Sequence, residues 1–341
     1  MMVRFLFSLV FFVVPLIPVQ ANDTSFGGSG SLPVPVKEHK VKMLDEKILL
    51  QGYKLNTTDF KGEWRVSCDF TFENTANESL AFRMGFPLPV IDEDSAYSIP
   101  AGHKGSSGDP LVHDFTVLVD GKSKTVNRQV IGANEAHGIY YKDAYLWDMT
   151  FSPRQRVKVR HDYVTGVTSD VMGFTTVSYV LQTGRLWQGG AIGHTHLEVV
   201  PNTPSRLCSE IDQSVGDYTG TTPPGMKIIT EGRNRKYVWD LDNFTPQSDL
   251  NLCLQLGRRY IFYRVVIPII NKSMELNNLT KEKLRLLRNS IFAQYGREFK
   301  DPALQQYFSE QWWYEPNADY NDTLLSKEDK EALALIAKEE S

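Results

Sequence analysis

The chain has 341 residues, 37 Lys and Arg against 41 Asp and Glu, a net charge of -4 and three cysteines. Charges so evenly balanced and interspersed leave no basic footprint for nucleic acid and no polybasic patch for an anionic membrane surface. The length allows a substantial core and two domains.

The opening MMVRFLFSLVFFVVPLIPVQA has the parts of a secretory signal: Arg4, an apolar run from Phe5 to Val19, and small residues around Ala21. The run falls short of the ~20 residues that cross a bilayer and contains Pro15 and Pro18. Residues 1–21 are therefore expected to be removed, leaving Asn22 as the first residue, no transmembrane anchor, and a secreted or periplasmic protein.

From about residue 36 to 268 the apolar pattern has period two, with turn residues between short runs. In EWRVSCDFTFEN, Cys68 shares a strand face with Trp64, Val66, Phe70 and Phe72 and is expected to be a buried free thiol. FTVLVDGKSKTV predicts a hairpin turning at Asp120-Gly121. RQRVKVRHDYV and RKYVWDLDN alternate likewise, the first placing His161 on the apolar side. In DLNLCLQL the leucines take one face, and Cys253 points the other way beside Asn251 and Gln255. Cys208, in the turn-rich NTPSRLCSE, is its expected disulfide partner. RRYIFYRVVIPII, apolar on both faces and closed by Pro268, reads as a central strand.

After Asn271 the period becomes helical. Thr280 caps LTKEKLRLLRNSIFAQYG, with Gly296 just past its end; Asp301 and Pro302 start DPALQQYFSEQ; Ser326 caps SKEDKEALALIAKEE. WWYEP, Trp312 to Pro316, supplies core. The expected fold is α+β: an antiparallel β-sandwich domain over 22–270 followed by a small all-helical domain over 271–341.

LRLLRNSIFAQYGREFKDPALQQYFSEQWWY and the closing LLSKEDKEALALIAKEE resemble the YARHG domain, a small module of bacterial exported proteins. The motif here reads Phe292-Ala293-Gln294-Tyr295-Gly296, so only Ala293 and Gly296 match the family's name. Without the motif's Arg and His, this stretch is read as a structural corner. FRMGFPLPVIDE and VSYVLQTGRLWQGGAIG are similar to a bacterial exported domain of unknown function. Together the resemblances imply a Gram-negative exported protein and admit release by the type II pathway.

Two stretches are candidate sites. In GHTHLEVV, His194, His196 and Glu198 project from one strand face and could hold zinc or ferrous iron, although a solvated outer face is the simpler account. In TGRLWQGG, the flexible Gly184 and Gly189 flank Trp187, an aromatic plate for a sugar or partner; the alternative is a turn pinned by its own Trp. There is no G-x-S-x-G elbow, H-E-x-x-H, P-loop or dinucleotide fingerprint. No cofactor is implied. The expected function is non-enzymatic binding of a protein or glycan ligand outside the cytoplasm; a secreted, metal-assisted hydrolase is the rival.

Overall fold

The computed structural model describes residues 23–27, 34–55, 62–88, 96–100, 102–103, 112–133, 141–213 and 223–341. The expected signal at 1–21, its cleavage point, and residues 104–111 of the loop between His103 and His113 lie outside the described residues.

Three sheets form the larger part. The eight-stranded one runs in the order Lys227–Glu231, Asn234–Phe244, Ile192–Val200, Val41–Tyr53, Glu63–Asn74, Arg156–Gly166, Val112–Val119, Lys122–Ser123. Its described pairings are antiparallel except that of Val41–Tyr53 with Ile192–Val200. Strand alternation fixes its inner face: Trp64, Val66, Cys68, Phe70 and Phe72 are buried, while Arg65 and Asp69 point to water. On the outer face Arg160 pairs with Asp69 and Asp162.

Two five-stranded sheets cover the inner face. Leu80–Pro87 and Asp143–Phe151 belong to one, and from it Phe86 and Trp147 place their rings 5.6 and 5.2 Å from that of His161. Thr175–Tyr179 and Leu250–Leu256 belong to the other, and Tyr179 Oη lies 3.3 Å from Cys68 Sγ. One continuous apolar core joins all three sheets, giving the antiparallel sandwich. Asp120 and Gly121 both have positive φ, 49° and 76°, the type I′ turn expected there.

The chain leaves the sandwich through the bridge Cys208–Cys253, whose Cα atoms are 5.5 Å apart. Cys208 opens the short helix α1 (Cys208–Ile211). Cys253 differs from its expected polar surroundings: it is buried, as is Gln255, because Phe174 and Ile211 pack over that side of the strand. Cys68 is the free, buried cysteine.

RRYIFYRVVIPII is not a strand. It forms α2 (Gly257–Ile261), a π-helical turn Phe262–Val266 and α3 (Ile267–Ile270), running on as one rod. The widened turn before Pro268 accommodates a residue that lacks an N–H and crowds the carbonyl of the preceding turn. Ile261, Val266 and Ile269 join the second core, which is helical. Three capped helices complete it: α4 (Lys281–Ala293) from Thr280, α5 (Pro302–Ser309) from Asp301, and α6 (Lys327–Glu340) from Ser326. Gly296 adopts φ +81° at the corner between α4 and α5, where a Cβ would collide with the carbonyl of Glu315.

Candidate functional site

The helical part forms a partly open cavity of ≈ 430 Å³. Helix periodicity builds one wall: Lys283, Leu286, Leu287 and Ser290 form an i, i+3, i+4, i+7 stripe on α4 and line the cavity, while Leu284 and Ile291 turn into the core. The rod contributes Tyr260, Ile261 and Val265. Opposite them stand Tyr307 and Phe308 of α5 with Trp313 just beyond.

Aromatic packing holds these walls. Phe308 stacks on Phe299 at 4.9 Å and meets the edge of Trp313 at 5.9 Å. The sandwich also grips them. Arg233, in the turn between Lys227–Glu231 and Asn234–Phe244, donates to the carbonyl of Ser309 at the end of α5 and, at 2.7 Å, to that of Gln311, which also accepts from the Tyr314 N–H. Arg206 lies over Trp312, whose ring meets Tyr260 edge-on at 5.4 Å.

The polar groups on the cavity wall are few. Ser290 donates to Leu287 O at 2.7 Å and Gln311 Nε2 to Tyr307 O at 3.1 Å. Among the described residues Lys283 is the one charged group lining it. Nothing among the lining residues forms a nucleophile paired with a base, and the chemistry such a wall supports is burial of an apolar body.

The residues singled out in the sequence lie elsewhere. Trp187 is fully buried against Phe72, 4.7 Å between rings, and its Nε1 donates to Asp23 O at 3.2 Å. It cannot serve as an exposed plate. Gly184 is buried in the 3₁₀ turn Gln182–Leu186, and Gly189 and Gly190, both at positive φ, fold the indole back onto the sheet.

His194, His196 and Glu198 do share the outer face of Ile192–Val200. His194 is engaged by carboxylates on both sides, Asp45 at 2.9 Å and Asp240 at 2.7 Å, whose hydrogen bonds raise its pKa. His196 lies 3.9 Å from Glu198. Among the described residues no three His, Cys, Asp or Glu side chains are placed to hold a metal.

A polar knot lies inside the sandwich. His161 Nε2 is 3.3 Å from Asp23 Oδ2, and Thr195 donates to Glu46 at 2.9 Å. His161, Asp23 and Glu46 have no exposed surface. Burial pushes His161 down to about 3 and, with the charge of Glu46, pushes Asp23 well up, so burial disfavours the charged form of each. Closed off from water and substrate, the knot is structural.

The YARHG corner has a role that its residue types did not reveal. Tyr295 Oη and Gln294 Nε2 both donate to the buried carboxylate of Asp329, the second at 2.9 Å, while Arg258 lies over the Tyr295 ring at 4.4 Å. The available sequence signal was Asp329 itself, three residues after the cap Ser326 and therefore turned inward.

An eight-stranded layer faced by two smaller sheets, carrying a helical module with its own core and cavity, defines an α+β protein of two unlike parts. The YARHG domain family matches residues 270–341, and a domain of unknown function, DUF4424, matches 21–136. A solved structure from Legionella pneumophila, described as a candidate nutrient-binding protein, is 48% identical, with a TM-score of 0.81 over 93% of this chain and 100% of that one. The chain belongs to the family of that protein. An M1 zinc metallopeptidase of Deinococcus radiodurans aligns over 64% of this chain and 43% of its own at 6% identity and a TM-score of 0.29, too low to carry any argument. No curated protein matches.

Proposed function

We propose that the chain is an exported, non-enzymatic binding protein of a Gram-negative bacterium, a sandwich domain over 22–270 whose closing rod Gly257–Ile270 packs into the helical core of a second domain over 271–341, and that it holds a small apolar molecule in the cavity where the rod meets α4 and α5. The carrying observation is the preformed space of ≈ 430 Å³ between the rod, α4 and α5. That volume falls in the range of about 300–1,000 Å³ typical of small-molecule sites. The relative described as a candidate nutrient-binding protein supports the reading, as does the disulfide, which suits an oxidising compartment. Among the described residues no helix is long and apolar enough to cross a membrane. With Trp187 buried, the glycan expectation loses its aromatic plate, and the apolar cavity becomes the stronger site.

Titration with N-phenylnaphthylamine, a neutral apolar fluorophore, tests this. One saturable site per chain is expected, abolished by Leu287→Trp, which fills the cavity, with the fold retained. Absence of a saturable site, or an unchanged one in Leu287→Trp, overturns it.

A further inference from the structure

We propose that the ligand is an apolar monocarboxylate of medium size, its tail in the cavity and its carboxylate on Lys283. The inference rests on the cavity reading and adds the chemistry of the head group.

The wall carries a single charge, and that charge is positive. Among the described residues no Asp or Glu lines the cavity to offset it. The arginines of the same helix are already engaged, Arg285 by Asp301 and Arg288 by Glu340. Lys283 differs: among the described residues its ammonium has neither an ion-pair nor a hydrogen-bond partner, and the side chain is exposed.

The position of Lys283 in the stripe matters equally. It stands one turn before Leu286 and Leu287 and two turns before the buried Ser290, so its side chain begins on the apolar wall and ends in water. A ligand whose apolar end lies among Leu287, Phe308 and Trp313 would bring an anionic end to the same place. The remaining polar side chains carry no charge: the Ser290 hydroxyl and the Gln311 amide already donate to backbone carbonyls, and the phenols of Tyr260 and Tyr307 offer neutral hydrogen bonds to any head group alike. A cationic head would meet Lys283 with no lining carboxylate to neutralise it, and a neutral head would gain a hydrogen bond from it without the charge attraction. The size follows from the space: ≈ 430 Å³ equals roughly fourteen water volumes, which suits about ten to fourteen non-hydrogen atoms.

Displacement of N-phenylnaphthylamine by decanoate, decanol and decylamine, compared in wild-type protein, Lys283→Gln and Lys283→Glu, tests the assignment. In the wild type decanoate should displace the probe at roughly three- to tenfold lower concentration than decanol, the size expected for a partly solvated ion pair. Lys283→Gln should remove that advantage without changing decanol binding, and Lys283→Glu should favour decylamine. Equal binding of decanoate and decanol in the wild type, or equal weakening of both by Lys283→Gln, overturns the head-group assignment and leaves the apolar cavity standing. Failure of all three compounds and of the probe itself overturns both.

Discussion

Tyr295 and Asp329, thirty-four residues apart in sequence, are joined by a buried hydrogen bond that ties the corner after α4 to the first turn of α6. Burial and the Asp329 carboxylate hold the Tyr295 hydroxyl well above its usual pKa, so it donates at any accessible pH. The same carboxylate accepts from Gln294 and, at 2.8 Å, from the backbone N–H of Ser326. The Arg and His of the family's motif are N–H donors as well. Gln294 and Tyr295 can therefore do the same positional work without charge.

Asp329→Ala would remove the acceptor of two buried side-chain donors, Tyr295 and Gln294, and of the part-buried N–H of Ser326. Its cost should be on the order of 2–4 kcal/mol, with Tyr295→Phe nearer 1–2 and Tyr295→His milder still, since an imidazole N–H can donate to the carboxylate. Urea denaturation followed by the helical far-ultraviolet signal measures this series; a benign Asp329→Ala would refute the role assigned to the knot.

What the sequence conveyed and what it withheld divide along physical lines. Alternation in EWRVSCDFTFEN and the caps Thr280, Asp301 and Ser326 are local signals, and each element formed where they placed it. Gly257–Ile270 misled because its β-branched residues favour strands in isolation, whereas burial of Ile261, Val266 and Ile269 against α4 and α6 decides for helix. Trp187 looked available because glycines flank it, yet those glycines let it fold inward. The cavity was illegible for another reason: Leu287, Phe308 and Trp313 look like any core residues, and only their three-dimensional arrangement leaves space between them.

The bridge between Cys208 and Cys253 spans 45 residues of sequence. Loop-closure entropy gives it about 4 kcal/mol, so Cys208→Ala/Cys253→Ala should lower the unfolding free energy by an amount of that order. Burial raises the Cys68 thiol as well as hiding it. A thiol-blocking reagent should therefore label nothing in the native protein, one site after denaturation, and three after denaturation and reduction. Labelling of all three without reductant would show that the bridge does not form.

Asp249 sets a pH dependence. Its Oδ1 accepts from the backbone N–H groups of Leu181 and Gln182, both at 3.0 Å, but burial outweighs these bonds and pushes the carboxyl up to about 7. An ordinary carboxyl in the unfolded chain titrates near 4, so between about pH 4 and pH 7 the folded state holds a proton that the unfolded state has lost. This contribution is complete below pH ~4 and disappears as the pH rises through about 7. Asp249→Asn keeps an acceptor for both N–H groups and cannot ionise. It should match the wild type near pH ~4 and exceed it near pH ~8, by up to about 4 kcal/mol. Parallel urea curves at the two pH values measure the difference, and an equal gap at both would mean that the three N–H donors, Gln182 Nε2 included, keep Asp249 ionised.

Arg233 links the sandwich to the end of α5, next to the cavity wall. Its guanidinium spans the carbonyls of Ser309 and Gln311 just where α5 ends, and a cation at a helix C-terminus also meets the negative end of the helix dipole. Tyr307 and Phe308, immediately before, are cavity walls. Arg233→Ala should cost on the order of 1–3 kcal/mol and weaken N-phenylnaphthylamine binding several-fold, because the end of α5 loses its anchor to the sandwich although no lining residue is itself replaced. Arg233→Lys should recover only part of this, since an ammonium supplies the charge but not the planar fork that reaches two carbonyls. If Arg233→Ala lowered stability without touching probe affinity, the hairpin would be a brace for the fold alone. A matched loss of both, with Arg233→Lys intermediate in each, is expected if the sandwich holds the binding wall in position.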